Sequence, residues 1–532
     1  MSSEPQSQLT QAKSQAAGNR QPPWLVAVLL AAAGFYGLFI WRSAFGVHGQ
    51  IYFTLIDDAM ISMRYARHLA QGHGLVWNVG AAPVQGFTNP AWTLLMAVPH
   101  WLHLALSRTS LAVMSLSAVI LLVLIFTIFR LSQVLAPRAR HASLMAATIT
   151  AFYFPLVFWS LRGMEVGLLA LLIAGAALLA VRLGPENHTR QFVAMGLLLA
   201  LAIATRLDAT AQAAIILAYL LSHPKVRGGR RFIPAILAAA ALIGILAWQR
   251  AYFGDALPNT YYQKLIGTGP WERIKHGLLV FYQYATRDTL PLVLVSAVAI
   301  LRYRELRTRE TALLAALFLV QSAYSIWVGG DYAEPEVDAA NRFITQGMPP
   351  LIILFSLGAV RLLDEMIPSI QSATRGTPMW QPLGVAAAVL LIVSGQPWFH
   401  WAADKAPLLQ SDIRRVRAGV AIAQSTSPDA VIAVHAAGQI PYYSNRTTID
   451  LLGLNDPIIA KAAPSGPFYP GHDKWNYDYS IMRLKPDLIA DNWIRLSDYM
   501  KYRSDYRELD NGMYIRRDTR LVNVPALLQA FP

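Results

Sequence analysis

A series of long apolar runs constrains this chain more than any other feature. Stretches such as "PWLVAVLLAAAGFYGLFIW" (Pro23–Trp41) and "LAVMSLSAVILLVLIF" (Leu111–Phe126) carry no charge. Roughly 20 such residues in a helix cross a bilayer core. Only 14% of the residues are charged, against about 25% in a soluble domain. The pattern predicts a polytopic α-helical membrane protein with about eleven spans, near 23–42, 111–134, 143–160, 164–182, 192–205, 209–222, 232–251, 289–302, 310–328, 344–362 and 380–396. A polar, Gln/Ser-rich tail (1–22) precedes the first run. No small-residue cleavage site follows that run directly, so it reads as a retained span.

The net charge of +14 is a topology signal rather than a nucleic-acid footprint. Arg and Lys collect in the short loops "RLSQVLAPRAR", "VRLGPENHTR", "HPKVRGGRR" and "RYRELRTR", which the positive-inside bias assigns to the cytoplasm. This holds if "NPAWTLLMAVPHWLHLAL" (Asn89–Leu106), with Pro99, His100 and His103, is an interfacial or re-entrant helix. Counted as a span, it would export the densest basic loop. The N-terminus is then cytoplasmic, 23–396 forms the membrane module with a first outer loop at 43–110, and the C-terminus lies outside. From 397 to 532 the apolar runs stop and a soluble α/β domain is expected. "DAVIAVHA" (Asp429–Ala436) reads as a buried strand, Ser411–Gln424 as a helix, and "RTTIDLLGL" and "KPDLIADNW" as strand-and-turn units. The chain has no cysteine, which excludes disulfides and thiolate metal sites and leaves the redox compartment open.

With this topology the polar motifs that charge bias does not explain fall on the outer side. They are the pair Asp57 and Asp58; Arg162 and Glu165 in "LRGMEVG"; Arg206 and Asp208 in "TRLDA"; "GDALPNTYYQK" ending at Lys264; and Asp331 and Arg342 in "GGDYAEPEVDAANRF". Charges at membrane depth are costly and face a cavity or a partner. A carboxylate held near an acceptor hydroxyl serves as a general base. The cations Arg162, Arg206, Lys264 and Arg342 suit an anionic leaving group such as a phosphate. Together these suggest group transfer from a lipid-linked phosphate donor. Trp77, Trp92, Tyr261 and Tyr262 either stack on a sugar or sit in the interfacial belt.

The motifs "IDDAMISMRYARHLAQGHGLVWN…GFTNPAWTLLMA", "RGMEVGL", "TRLDA", "LPNTYYQK", "GGDY…RF" and "GQIPYYSNRTTIDLLGLND" follow one another between about residues 50 and 495. In this order the chain resembles the GT-C superfamily of polyprenyl-phosphate-dependent glycosyltransferases. More specifically it is similar to the bacterial arabinofuranosyltransferases, the group that includes the mycobacterial terminal β-(1→2) enzyme and the pilin arabinosyltransferase. The resemblance implies a multi-pass protein of the bacterial inner membrane with its active site and C-terminal domain facing the periplasm. It implies inverting transfer of a furanosyl sugar, arabinofuranose, from a polyprenyl monophosphate to a hydroxyl of a glycan or of a surface protein such as pilin. One of Asp57 and Asp58 would be the general base. Glu165 takes the place of the second-loop acid, Lys264 would approach the donor phosphate together with Arg206 and Arg342, and Asp331 is the acid of "GGD". Asn259 and Tyr262 of "NTYYQK" join the candidates with Arg162, Asp208 and His73. Two departures stand out: the gap between Asp331 and Arg342 is longer than usual, and His435 occupies a position where an acid often sits.

Each candidate also has a structural reading. The aspartate pair would cap the helix that follows it; as a base, Asp57 is slightly favoured over Asp58. His68 would face the helix surface and His73 sits between two glycines in a turn, so both read first as non-ligands. Arg64 and Arg67 would pair with the acids or lie at headgroups. Arg162 with Glu165, and Arg206 with Asp208, would form plain ion pairs. Lys264 would snorkel to the interface, and Asp331 would be a turn residue. No tight ligand spacing demands a cofactor and a divalent cation stays open: Asp57, Asp58 and Glu165 would suit a magnesium, calcium or manganese ion if they converged. The rival readings are a transferase using a hexose or aminoarabinose donor, and a lipid-linked sugar flippase. The flippase would place its charges near mid-membrane in broken helices, whereas here they sit at span ends.

Overall fold

The computed structural model describes residues 23–137, 139–183, 188–224, 226–366, 380–491 and 500–532. The expected tail 1–22 and positions 138, 184–187 and 225 of the basic loops lie outside the described residues. Every predicted span falls on a helix, but the helices differ in length. Among the described residues six are long and apolar enough to cross a membrane: Pro23–Arg42, Leu106–Leu135, Gly229–Phe253, Pro270–Arg302, Arg309–Val328 and Gln381–Asp404. A seventh crossing is available if Arg140–Phe152 and Phe154–Leu161, bent by 48°, act as one span. Val166–Arg182, Thr189–Thr205 and Ala209–Leu221 are shorter. At 1.5 Å per residue the last of these rises only ~20 Å, less than a ~30 Å hydrocarbon core. The uniform picture of eleven full crossings is therefore not what the backbone forms. The final helix also runs past the expected edge at 396, to Asp404.

The long helices carry exposed apolar residues such as Leu30, Ile243, Leu301 and Leu391, surface that water does not favour and lipid does. The first and last long helices lie side by side. Phe39 stacks on Trp401 with centroids 5.6 Å apart, and Arg42 donates to the carbonyls of Trp401 and Ala402 at 3.2 and 2.9 Å. Helix Pro90–Trp101, within the segment expected to be re-entrant, has 12 residues, too few to span.

Before the first acidic motif a small hairpin, β1 (Phe45–Val47) and β2 (Gln50–Tyr52), turns the chain. The C-terminal part builds a five-stranded sheet from β3 (Val431–Val434), β4 (Thr447–Asp450), β5 (Leu488–Ile489), β6 (Tyr506–Glu508) and β7 (Tyr514–Arg516), in the order β4-β3-β5-β7-β6. The β4-β3-β5 half is parallel and the β5-β7-β6 half antiparallel. The uninterrupted apolar run "VIAV" suits a central strand with both faces covered. One face of the sheet, with Ile432, Val434, Leu488 and Ile515, packs on Ile61 and Tyr65 of helix Asp57–Ala70 and on helix Leu409–Ser425. The other buries Ala433, Ile449, Ile489, Tyr506 and Tyr514 together.

Arg64 and Arg67 do not pair with the acids. They fasten the sheet domain to the first loop. Arg64 is buried; it donates to the carbonyls of Trp77 (2.8 Å), Pro441 and Arg446 (2.9 Å) and to the side chain of Asn78 (2.9 Å). Its guanidinium lies 4.6 Å from the Trp77 ring centroid. Arg67 donates to the Tyr442 carbonyl at 2.9 Å. Hydrogen bonds from a charged group are worth about 1.5–3 kcal/mol each, and a carbonyl left unpaired costs a similar amount. Arg64→Met is therefore expected to destabilise the protein by roughly 3 kcal/mol or more. A lowered detergent-solution Tm together with faster tryptic cleavage of the C-terminal domain checks this; an unchanged Tm contradicts the anchor.

Candidate active site

A cavity of about 490 Å³ lies between the membrane helices and the sheet domain, and Asp57, Asp58, Arg206, Asp208, Lys264 and Arg342 line it. Six of the residues singled out in the sequence, spread over almost three hundred positions, thus meet around one space.

The two aspartates open helix Asp57–Ala70, yet neither side chain caps that helix; its cap position is Ile56, without a side-chain hydrogen bond. Asp57 turns to the sheet domain instead. Its carboxylate accepts from the backbone amides of Gly438 (3.1 Å to each oxygen) and Gln439 (3.2 Å). A Cβ at Gly438 would stand 2.2 Å from the Asp57 carbonyl oxygen, so only glycine allows this approach. Burial pushes the Asp57 carboxyl up to about 7; Arg415 opposes this and the neighbouring Asp412 and Asp58 add to it. Asp58 faces the cavity, and its carboxylate receives Arg342 at 2.7 Å. Burial raises Asp58 too, but Arg342 and then Lys264 outweigh it and hold the carboxyl below its ordinary value.

A carboxyl whose folded pKa lies above its unfolded value binds more protons when folded, so its ionisation penalises folding. For Asp57 that penalty grows as pH rises from about 4 to about 7 and is constant above. Asp57→Asn keeps an acceptor for the Gly438 amide but cannot ionise. The Tm of the variant should therefore decline less than that of the wild type between pH 4 and 7; parallel curves would refute the assignment.

Arg342 is aimed by its neighbours. Asn341 accepts from the amides of Phe343 and Ile344 at 3.0 and 3.1 Å, starting the turn Arg342–Thr345. Arg342 then pairs with Asp331 at 2.8 Å as well as with Asp58. The long gap between these two motif residues is closed by the short helix Glu334–Val337. Glu334 sits behind them, accepting from the Asp331 amide and from Asn341, each at 2.7 Å. Burial and then the nearby Asp331 push its carboxyl up to about 8.

Arg206 is held by two carboxylates, Glu165 at 2.7 Å and Asp208 at 2.8 Å. Asn89 donates to the other Glu165 oxygen at 2.8 Å, and Gln346 donates to Asp208 at 3.2 Å. Lys264 closes helix Asn259–Leu265, with Nζ 5.7 Å from the Phe343 ring centroid. Its ammonium is lowered chiefly by burial and then by Arg342, with Asp331 and Asp58 opposing. Among the described residues no carboxylate lies within ion-pair distance of Lys264, whereas Arg206 and Arg342 each have two.

Other expectations require correction. Arg162 does not pair with Glu165. It is fully buried against Asp412 of the sheet domain and donates to the Thr54 carbonyl at 2.8 Å. Glu165 lies behind Arg206 rather than on the cavity, so Asp57, Asp58 and Glu165 do not converge. Among the described residues no group of three His, Asp or Glu side chains could hold a metal ion. His73 is exposed and away from the cavity, because its Gly-flanked turn projects outward. His68 is buried rather than on the helix surface, with Nδ1 2.9 Å from the Val76 carbonyl. Asn259 donates to the carbonyls of Gly453 and Leu454 at 3.0 and 3.1 Å, which makes it a tie between domains. Tyr262 packs under Lys461, 4.8 Å from its ring centroid. Trp77 and Trp92 are buried; of the four aromatics only Tyr261 lines the cavity.

His435, where the motif has an acid, lines the cavity, and the sheet domain adds residues that the motifs did not signal: Asp412, Arg415 and His472. Asp412 and Arg415 pair at 3.4 Å three positions apart, a spacing that in sequence resembles any solvated helix face. His472 sits in "PFYPGHD", where the only signal was a histidine in a Pro/Gly turn.

No curated protein matches the sequence. Residues 408–522 match a family model described as Domain of unknown function (DUF8728). Among solved structures, the archaeal oligosaccharyltransferase AglB from Archaeoglobus fulgidus, in complex with an inhibitory peptide and a dolichol-phosphate, is similar with a TM-score of 0.57 and 11% identity, over 93% of this chain and 74% of that one. ArnT from Cupriavidus metallidurans bound to undecaprenyl phosphate is similar with a TM-score of 0.50 and 14% identity, over 80% of this chain and 85% of that one. The apo form of the Archaeoglobus fulgidus oligosaccharyltransferase gives a TM-score of 0.51 and 13% identity over 80% of this chain; the match spans 64% of that enzyme's length. At such identities the likeness is one of fold: the chain shares the fold of these transferases.

Proposed function

We propose that this protein is a polyprenyl-phosphate-sugar-dependent glycosyltransferase that moves arabinofuranose to a hydroxyl of a glycan or of a surface protein such as pilin. One observation carries the reading: Asp58, kept ionised by Arg342, shares a cavity with Lys264, a cation whose charge no carboxylate within ion-pair distance balances among the described residues. Asp58 takes the proton of the acceptor hydroxyl. The acceptor oxygen bonds to the anomeric carbon from the face opposite the phosphate. The bond from that carbon to the phosphate oxygen breaks, its electron pair stays on the polyprenyl phosphate, and Lys264 balances the added charge. Arg206 and Arg342 contribute less net charge, since each already faces two carboxylates; their role is to shape the site. Asp57, with both oxygens on backbone amides, anchors the sheet domain beside the base. The fold shared with ArnT bound to undecaprenyl phosphate and AglB bound to a dolichol-phosphate supports a lipid-linked donor, and the arabinofuranosyl specificity rests on the sequence motifs. Purified protein offered synthetic polyprenyl-phosphoryl arabinofuranose, mannose and glucose tests it. Turnover of the arabinofuranosyl donor alone is expected; turnover of a hexosyl donor alone overturns the sugar assignment.

A further inference from the structure

Helix Asn259–Leu265 gives the cavity more than its lysine. Gln263 and Lys264 follow Thr260 at the i+3 and i+4 positions, so the three side chains share one face of the helix, and all three line the cavity. Gln263 is the most constrained of them. It is 1% exposed, and its amide nitrogen donates to the carbonyls of Leu452 (2.7 Å) and Gly471 (2.8 Å) of the sheet domain. A carbonyl only accepts, so these two contacts fix which end of the amide faces the sheet domain and use both of its N–H groups. The amide oxygen, Oε1, is left over. Among the described residues nothing donates to it, and the Thr260 hydroxyl, one turn earlier, has no partner among them either.

A buried acceptor without a donor carries a free-energy cost, and each such atom in a folded protein calls for a reason. Its position supplies one. The turn of Gly471 lies against this helix, and a Cβ at Gly471 would come within 3.1 Å of Lys264 Cε and 3.8 Å of Gln263 Oε1. The lysine stem and the amide oxygen therefore border the same small space. A polyprenyl-phosphoryl sugar is a phosphodiester, ionised at pH 7 and without a proton to give. Its phosphate suits Lys264 and not Oε1. The hydrogen-bond donors of that molecule are the hydroxyls of the sugar, which is joined to the phosphate through a single oxygen. A ligand whose phosphate meets Lys264 thus brings hydroxyls to Gln263 and Thr260.

We infer that Gln263 Oε1 and the Thr260 hydroxyl form the subsite for the hydroxyls of the donor sugar, beside the phosphate at Lys264. The inference rests on the proposed transferase reading and names the residues that recognise the sugar. Both are specificity residues, and neither exchanges a proton with the reacting oxygen. Gln263 has a second task, since its two N–H ties hold the sheet domain. A substitution there needs a readout that looser docking would not move.

The test is a cycle between protein and substrate. The wild type, Gln263→Met and Thr260→Val are compared in detergent with the polyprenyl-phosphoryl sugar that the wild type turns over and with analogues that each lack one sugar hydroxyl. Inhibition by undecaprenyl phosphate, which has the phosphate but no sugar, is measured alongside. In the wild type, removing the hydroxyl that meets Oε1 strands a buried acceptor and should lower kcat/KM about 10–100-fold. Gln263→Met should lose a similar factor on the complete donor and should no longer discriminate against that analogue, because the contact is already gone. Thr260→Val leaves both ties of Gln263 in place. It should narrow the discrimination against one deoxy donor about three- to tenfold, with undecaprenyl phosphate inhibiting as in the wild type. Looser docking alone would slow all donors alike, so full discrimination against every deoxy donor in both variants overturns the inference. A KM change confined to the acceptor also overturns it, since the same oxygens would then serve the acceptor's hydroxyls. If Gln263→Met does not fold, Thr260→Val decides by the same ratio. A wild type that transfers from no donor removes the transferase reading and the subsite with it; a transferring wild type without this coupling removes the sugar subsite alone.

Discussion

Asp58→Asn should lower kcat by about 10²–10⁴, the span a positioned general base contributes, while KM for the lipid donor changes little. Asparagine matches aspartate in shape and keeps an oxygen for Arg342, whose 2.7 Å contact fixes the side chain, so the fold should survive. What is lost is the negative charge that receives the acceptor proton. Arg342 and Lys264 hold the Asp58 carboxyl below its ordinary value. In the wild type, loss of this base should therefore slow turnover only below the usual carboxylate range, and kcat should not change through Asp58 between pH 5 and 8. Asp57→Asn should cost less activity, because Asp57 holds the amides of Gly438 and Gln439. Steady-state kinetics of both variants decides the matter. Near-normal turnover in Asp58→Asn with collapse in Asp57→Asn would reverse the two roles.

Lys264→Ala should reduce kcat/KM by about 10²–10³, the cost of removing one preorganised group aimed at developing charge. It should also weaken inhibition by undecaprenyl phosphate, which Asp58→Asn should not. Lys264→Arg should restore only part, since a planar guanidinium is a poor substitute for a compact ammonium and the Gly471 turn leaves little room above it. Arg342→Ala is a less informative probe: it strands Asp58 and Asp331 as neighbouring buried carboxylates, and so mixes stability with catalysis. Equal inhibition of the wild type and Lys264→Ala by undecaprenyl phosphate would remove Lys264 from the phosphate site.

The sequence carried the membrane helices well, because apolar runs leave little alternative in a bilayer. It carried their lengths less well. Ala209–Leu221 reads as a span by composition, but the breaks at Arg206–Asp208 and Ser222 leave it 13 residues. Local motifs also located most of the cavity lining, since Asp58, Arg206, Lys264 and Arg342 each stood out as a charge at a span end. Apart from Arg206 with Asp208, which pair as their spacing suggested, the partners were not legible. Arg162 pairs with Asp412, 250 positions away, and Arg64 grips four oxygens from two domains, yet in sequence both look like surface or headgroup arginines. The aspartate pair shows the limit most clearly. Two adjacent carboxylates look equivalent; both line the cavity, and only the docking of Gly438 makes one an anchor while the other pairs with Arg342. His472 gave no motif signal because it reaches the cavity only through a turn of the sheet domain that lies against Lys264.

The measurement closest to the central claim follows a labelled sugar. Purified protein is incubated with polyprenyl-phosphoryl arabinofuranose carrying a labelled pentose and with an acceptor fraction of envelope glycan and pilin. The account predicts that the label moves to an acceptor hydroxyl with inverted anomeric configuration, that one polyprenyl phosphate is released per sugar, and that Asp58→Asn and Lys264→Ala each slow the transfer at least about a hundredfold. Retained configuration, or an intact donor alongside equally intact mannosyl and glucosyl donors, would contradict it.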